Sequence, residues 1–251
     1  MENLIFNPYI AHQKPSNADT CPFCSKDNLG KILDQEGEKI WLENKYPTLE
    51  NAYQTLIIES DQHLGDVSTY TDEEVVTLFT YAIDKWQELQ TSQRYQSVVL
   101  FKNFGPLSGG SLRHPHLQIV GMDTINAYEE ISDRHFKGLT VVSESQHFAE
   151  FNISLDPIMG YSEFNILADE ARIDLLALMT KKVTRFLLTD YFQGRCQSYN
   201  LFFHKQSGKY ICKILPRFIA SPYFLGYKIP QCHNQQRLEQ IRQEFLASQM
   251  T

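Results

Sequence analysis

Two stretches of helical periodicity, each followed by a pair of strand-like runs, constrain most strongly what this chain can fold into. In the first, Val75, Val76, Phe79, Ala82, Ile83, Trp86 and Leu89 recur at helical spacing and give one apolar face, which reads as core. Thr71 is a natural N-cap, and Glu74 three residues on completes a capping box. In the second, Leu175, Leu176, Leu178, Met179, Val183, Phe186 and Leu187 mark a helix over 171–191. The first helix leads into strands over 96–103 and 113–121, joined by a loop carrying Gly105, Gly109 and Gly110. The second leads into strands over 198–204 and 209–215, joined by the turn Gln206-Ser207-Gly208. Strands over 41–44 and 53–59 precede the first helix, a final helix covers 235–248, and the first twenty residues read as an arm. The repeated order predicts an internal duplication of a unit of roughly 100–120 residues. The expected fold is α+β, with tandem halves over 1–130 and 131–251. Each half is an antiparallel sheet with a long helix packed on it.

Composition narrows the function classes. No run approaches the ~18 apolar residues of a membrane-spanning helix, so no membrane partner is expected. Met1 to Pro8 shows no basic flank followed by an apolar stretch, so no secretory signal is expected either. The net charge of -7 argues against a nucleic-acid binder, which needs a basic face. It leaves room for a nucleotide in a locally positive pocket. Five cysteines with one close pair do not make a secreted disulfide framework. A cytoplasmic, reducing setting follows, in which Cys21-Pro22-Phe23-Cys24 reads as a metal or redox pair.

The informative segment runs from Asn103 to Gln118. On a strand, side chains at i, i+2 and i+4 share a face, so His114, His116 and Gln118 are expected to point the same way. The glycine-rich loop before them brings backbone N–H groups close to an anion. A neutral imidazole attacks phosphorus and leaves again, splitting one transfer into two. Gln118 and Ser111 are placed to hydrogen-bond non-bridging oxygens as charge redistributes.

His114-Pro115-His116-Leu117-Gln118, preceded by Asn103-Phe104-Gly105 and Gly109-Gly110-Ser111, resembles the active-site motif of the galactose-1-phosphate uridylyltransferase branch of the histidine-triad (HIT) superfamily. The resemblance implies two HIT-like halves and a nucleophilic His116 that forms a covalent nucleotidyl-imidazole. Gln118 then orients the intermediate without shuttling a proton to water. Asn103, Gly109, Gly110 and Ser111 fall where the family contacts phosphate. Asn44, in Trp41 to Pro47, falls where it packs on base and ribose. Cys21 and Cys24 stand where the family places two zinc ligands, with His63 as the third and His114 as the fourth. That Cys2His2 set is the tetrahedral, closed arrangement structural zinc prefers.

The resemblance implies a nucleotide or nucleotide-sugar donor, a sugar phosphate or phosphate acceptor, and a homodimer. The second half departs from it. Lys209 to Arg217 contains no histidine, so a second metal site is not supported, and Lys213 and Arg217 are candidates to meet acceptor phosphates. A phosphorylase or hydrolase of dinucleoside polyphosphates or nucleotide sugars uses the same residues. A nucleotide-binding protein without turnover is the alternative from another class.

Overall fold

The computed structural model describes residues 3–14, 21–26, 29–144 and 149–250. Of the arm expected over the first twenty residues, positions 1–2 and 15–20 lie outside the described residues. Two compact units divide the chain. The first comprises Met1–Gly65, Thr77–Lys102 and Ser111–Glu130, and the second Asp66–Val76, Asn103–Gly110 and Ile131–Thr251.

The first unit begins with the short helices α1 (Pro8–His12), capped by Asn7, and α2 (Pro22–Ser25). Strands β1 (Ile32–Glu36), β2 (Lys39–Glu43) and β3 (Ala52–Ile58) lead to α3 (Asp72–Thr91), then β4 (Ser97–Phe104) and β5 (His116–Met122). The strands lie in the order β1-β2-β3-β5-β4, each antiparallel to its neighbour. The expected capping box forms: Thr71 N donates to Glu74 Oε2 at 2.6 Å, and Glu74 N to Thr71 Oγ1 at 3.2 Å. From Thr77 onward α3 lies in this unit and buries Phe79, Ala82, Ile83 and Trp86. Each large apolar side chain so buried contributes about 2 kcal/mol. Trp86 Nε1 donates to Val98 O at 2.9 Å, so even the polar edge of the indole is satisfied.

The second unit repeats the plan. A 3-10 turn (Asp133–Phe136) precedes β6 (Gly138–Glu144), β7 (Ala149–Ser154) and β8 (Phe164–Asp169). Then come α4 (Ile173–Thr189), β9 (Tyr199–Gln206) and β10 (Lys209–Pro216), followed by α5 (Pro222–Tyr227) and α6 (Gln235–Ser248). The strand order β6-β7-β8-β10-β9 is that of the first unit. Helix α6 is amphipathic and buries Leu238, Ile241 and Phe245. Phe245 meets Phe151 and Phe186 with ring centroids 4.8 and 5.4 Å apart.

The last two strands of each unit are joined differently. Between β9 and β10 only Ser207 and Gly208 intervene, both with positive φ, which makes the tight hairpin turn expected there. Between β4 and β5 the chain takes residues 105–115 to make the same reversal. Strand β5 also starts later than expected, at His116 and not at Arg113. Pro115 has no N–H to give a ladder, so the residues before it run as loop. Among the described residues no helix is long and apolar enough to cross a membrane.

Candidate active site

The Cys-Pro-Phe-Cys segment folds as a single tight turn. Pro22 opens α2, Cys24 N donates to Cys21 O at 3.1 Å, and Lys26 ends the helix in the left-handed region. Phe23 is 6% exposed and fixes the turn to the core of Ile40, Leu42, Leu56 and Ile58. Its ring meets those of His114 and His116 edge-on, with centroids 5.7 and 5.6 Å away.

Cys21, Cys24, His63 and His114 come together, their ligand atoms all within 4.8 Å of one another. Cys24 Sγ lies 3.3 Å from His63 Nδ1 and 3.4 Å from His114 Nδ1. A tetrahedral ion with ordinary zinc–sulfur and zinc–nitrogen bonds sets such edges at about 3.5 Å, so the cluster fits one. His114 Nε2 donates to Ser60 O at 2.8 Å, which leaves Nδ1 to face the sulfurs, as an outer-shell bond does for a metal-bound imidazole. Two thiolates and two neutral imidazoles would balance a divalent cation.

His116 is the first residue of β5, opposite Ile58 of β3. It is 8% exposed, and its Nδ1 lies 2.9 Å from His114 O. A carbonyl only accepts, so Nδ1 carries the proton and Nε2 keeps its lone pair. Burial, with help from Lys102, pulls the imidazole down to about 4, against the opposing hydrogen bond to His114 O. The ring is therefore neutral near pH 7. His114 and His116 were expected to share a strand face. Instead His114 precedes the strand and turns to the sulfurs, while Gln118 follows two positions along β5 from His116.

Beneath this segment lies an ion pair that periodicity did not reveal. Lys102 donates to Glu59, and their side chains are 1% and 0% exposed. Glu59 N also donates to Pro115 O at 3.2 Å, tying the pair to the residue between the histidines. Arg113 donates to Gly65 O and Leu64 O at 3.4 and 3.2 Å, fastening the approach to β5. Ser111 is exposed. Asn44, just after β2, uses its Oδ1 to accept from Tyr46 N at 2.9 Å and so closes a local turn.

Asn103 to Gly110 belong to the second unit. Ser108 Oγ donates to Gly105 O at 2.7 Å, closing a compact loop. Gly105 has φ +83°, and a Cβ there would collide with the main chain of Gln197 and Ser198. Gly109 has φ +87° with open space around it. The loop is thus packed at one end and free at the other.

The two basic candidates of the second half have different surroundings. Lys213 is 1% exposed and pairs with Glu163 at 2.8 Å. It also donates to His135 O at 2.8 Å and Asn165 Oδ1 at 3.0 Å. Its ammonium is fully engaged, so Lys213 does not stand ready for an acceptor phosphate. Arg217 follows β10, and its Nη1 meets Met159 Sδ at 3.4 Å. Its Nε is buried with no hydrogen bond among the described residues.

Comparison with known proteins bears on the family and the fold. Residues 6–125 match the family model of the N-terminal domain of DUF4931, a domain of unknown function, and residues 128–248 that of its C-terminal domain. A DUF4931 family protein of Bacillus cereus is 43% identical, with a TM-score of 0.78, over 86% of this chain and 98% of that one. The ADP-glucose phosphorylase of Arabidopsis thaliana, solved with ADP-glucose, superimposes with a TM-score of 0.70 at 15% identity, over 97% of this chain and 98% of that one. A galactose-1-phosphate uridylyltransferase of Streptomyces lividans is 22% identical over 157 residues, 53% of this chain. That match spans 44% of the Streptomyces protein. The fold is therefore shared with the Arabidopsis ADP-glucose phosphorylase.

Proposed function

We infer that this chain, which belongs to the DUF4931 family, transfers a nucleotidyl group through a covalent intermediate on His116. The observation that carries the reading is the state of that imidazole. It is buried and neutral, and its Nδ1 proton is held by His114 O, so the Nε2 lone pair is free.

In the first step Nε2 bonds to the α-phosphorus of a nucleotide donor. The bond from that phosphorus to the bridging oxygen breaks, and its electron pair leaves with the departing phosphate. The ring gains positive charge, which the Nδ1–H bond to His114 O helps to spread. In the second step an oxygen of a sugar phosphate or of orthophosphate attacks the same phosphorus, and the pair returns to Nε2. Gln118 and Ser111 contribute donors to the non-bridging oxygens, and Asn103, Gly109 and Gly110 line the phosphate loop. Gln118 has no basic nitrogen to activate water, which favours transfer over hydrolysis.

Cys21, Cys24, His63 and His114 hold a zinc ion in this reading. The ion's contribution is structural: it fixes His114, and through His114 O the tautomer of His116. The cysteines call for a reducing compartment such as the cytosol.

The second reading is a phosphorylase, in which the sugar phosphate departs in the first step and orthophosphate takes the nucleotidyl group from Nε2 in the second. The likeness to the Arabidopsis ADP-glucose phosphorylase favours it, and the same residues serve. Incubation with UDP-glucose, UDP-galactose, ADP-glucose or a dinucleoside polyphosphate, followed by intact-protein mass, tests both. An acid-labile nucleoside monophosphate adduct names the base, and its discharge by orthophosphate or by a sugar phosphate names the reaction. Binding without any adduct would reject nucleotidyl transfer.

A further inference from the structure

The second half lacks a histidine motif, yet one of its strands grips the glycine-rich loop of the first motif. Three consecutive residues at the start of β9 do so, all within the second unit. Ser198 Oγ accepts from Leu107 N at 3.0 Å. Tyr199 stacks on Phe104 at 4.9 Å and 19°, and its hydroxyl donates to Asp66 Oδ1 at 2.6 Å. Asn200 Nδ2 donates to Ser108 O at 3.0 Å and to Asn103 Oδ1 at 2.6 Å.

The direction of that last bond is forced. Ser108 O is a carbonyl and only accepts, so the Asn200 atom beside it is the amide nitrogen. The same nitrogen faces Asn103, so the Asn103 atom there is the oxygen. The Asn103 carboxamide is thereby held with its NH2 turned away from Asn200. That NH2 has no partner among the described residues, which leaves two donors for an anion. Asn200 itself is 2% exposed, and its Oδ1 is buried with no hydrogen bond among the described residues. An orphaned acceptor is unfavourable, so this orientation satisfies the loop and not Asn200.

We propose that Asn200 is a positioning residue of the transfer reaction, which sets the Asn103 carboxamide with its NH2 toward the phosphate of the donor. The proposal rests on the nucleotidyl-transfer reading above.

The test is a double-mutant cycle with ADP-glucose and UDP-glucose as donors, reading both the dissociation constant and the rate of adduct formation. Asn200→Asp replaces the donor by an acceptor of the same shape. Asn103 must then turn its NH2 inward and present its oxygen to the phosphate. Adduct formation is expected to slow on the order of 10- to 100-fold. In an Asn103→Ala background the same substitution should cost no more than about twofold. If Asn200→Asp fails to fold, Asn200→Ala replaces it, with a smaller loss that should again vanish in the Asn103→Ala background. A merely structural Asn200 would lower both backgrounds equally, and that additivity would overturn the proposal. A wild type that forms no adduct with either donor or the wider panel overturns the transfer reading, and the role of Asn200 with it. Adduct formation with additive losses overturns the role of Asn200 alone.

Discussion

His114 serves its neighbour and the cysteine pair at once: its main-chain oxygen accepts from His116 Nδ1 at 2.9 Å, while its own Nδ1 lies 3.4 Å from Cys24 Sγ. The turn that Pro115 imposes makes both possible, because it frees the His114 ring from the strand while leaving His116 on it. His116→Ala should therefore abolish the nucleotidyl adduct while the protein stays folded. The ring lies at the start of β5, so its loss should lower stability by only about 1–3 kcal/mol. Intact mass and a thermal melt on the same preparation check this, and turnover retained in the variant would remove His116 from the mechanism.

The Cys2His2 cluster joins α2, the loop after β3 and the approach to β5. Its ligands are far apart in sequence, so a bound ion closes long loops. Purified protein should contain about one zinc per chain by elemental analysis. Cys21→Ser or chelation should lower the melting temperature by more than about 5 °C. The base preference of adduct formation should not move. Zinc-free protein with an unchanged melt would show the cluster to be four unrelated side chains.

How far the sequence carried depends on whether a feature is local. The α3 cap was legible because Thr71 and Glu74 are three residues apart and each satisfies the other's backbone. The final helix expected over 235–248 forms as α6, with Leu238, Ile241 and Phe245 buried. Strands β6 to β8 were not, because the inward positions of β7 and β8 include Asn152 and Asn165 where apolar residues would mark a buried strand. Those two meet as cross-strand neighbours, and Asn165 is also opposite Lys213. Their polarity is satisfied across the sheet and invisible along the chain. For the same reason Lys213 reads as a half-exposed strand residue until Glu163 is seen beside it. In the candidate site the histidines and cysteines were legible from spacing and resemblance. Lys102, Glu59, Ser198 and Asn200 were not, since their partners lie 43 to 97 residues away.

The Lys102–Glu59 pair gives a sharper test of burial. Both side chains are essentially inaccessible, so removing one partner strands a charge in a dry site. Lys102→Met should destabilise by about 3–5 kcal/mol in urea at pH 7. Adding Glu59→Gln should recover most of that loss, because no buried charge is then left over. A Lys102→Met variant within about 1 kcal/mol of wild type would show that water reaches Glu59.

His204 on β9 should make the fold acid-sensitive. Its ring packs against Phe136 at a centroid distance of 4.8 Å. Burial first, then Lys213 and His135, pull its imidazole down to about 3, well below the usual histidine range. The unfolded chain therefore takes up this proton before the folded one does. The contribution is fully present above about pH 6.5 and is lost as pH falls toward the folded value. Between pH 6 and 4 the wild type should lose up to about 1 kcal/mol of stability per pH unit more than His204→Leu, in which that proton site is gone. Urea melts of both proteins at half-unit intervals give the two slopes. Parallel slopes would mean that the folded protein protonates His204 as readily as the unfolded chain does.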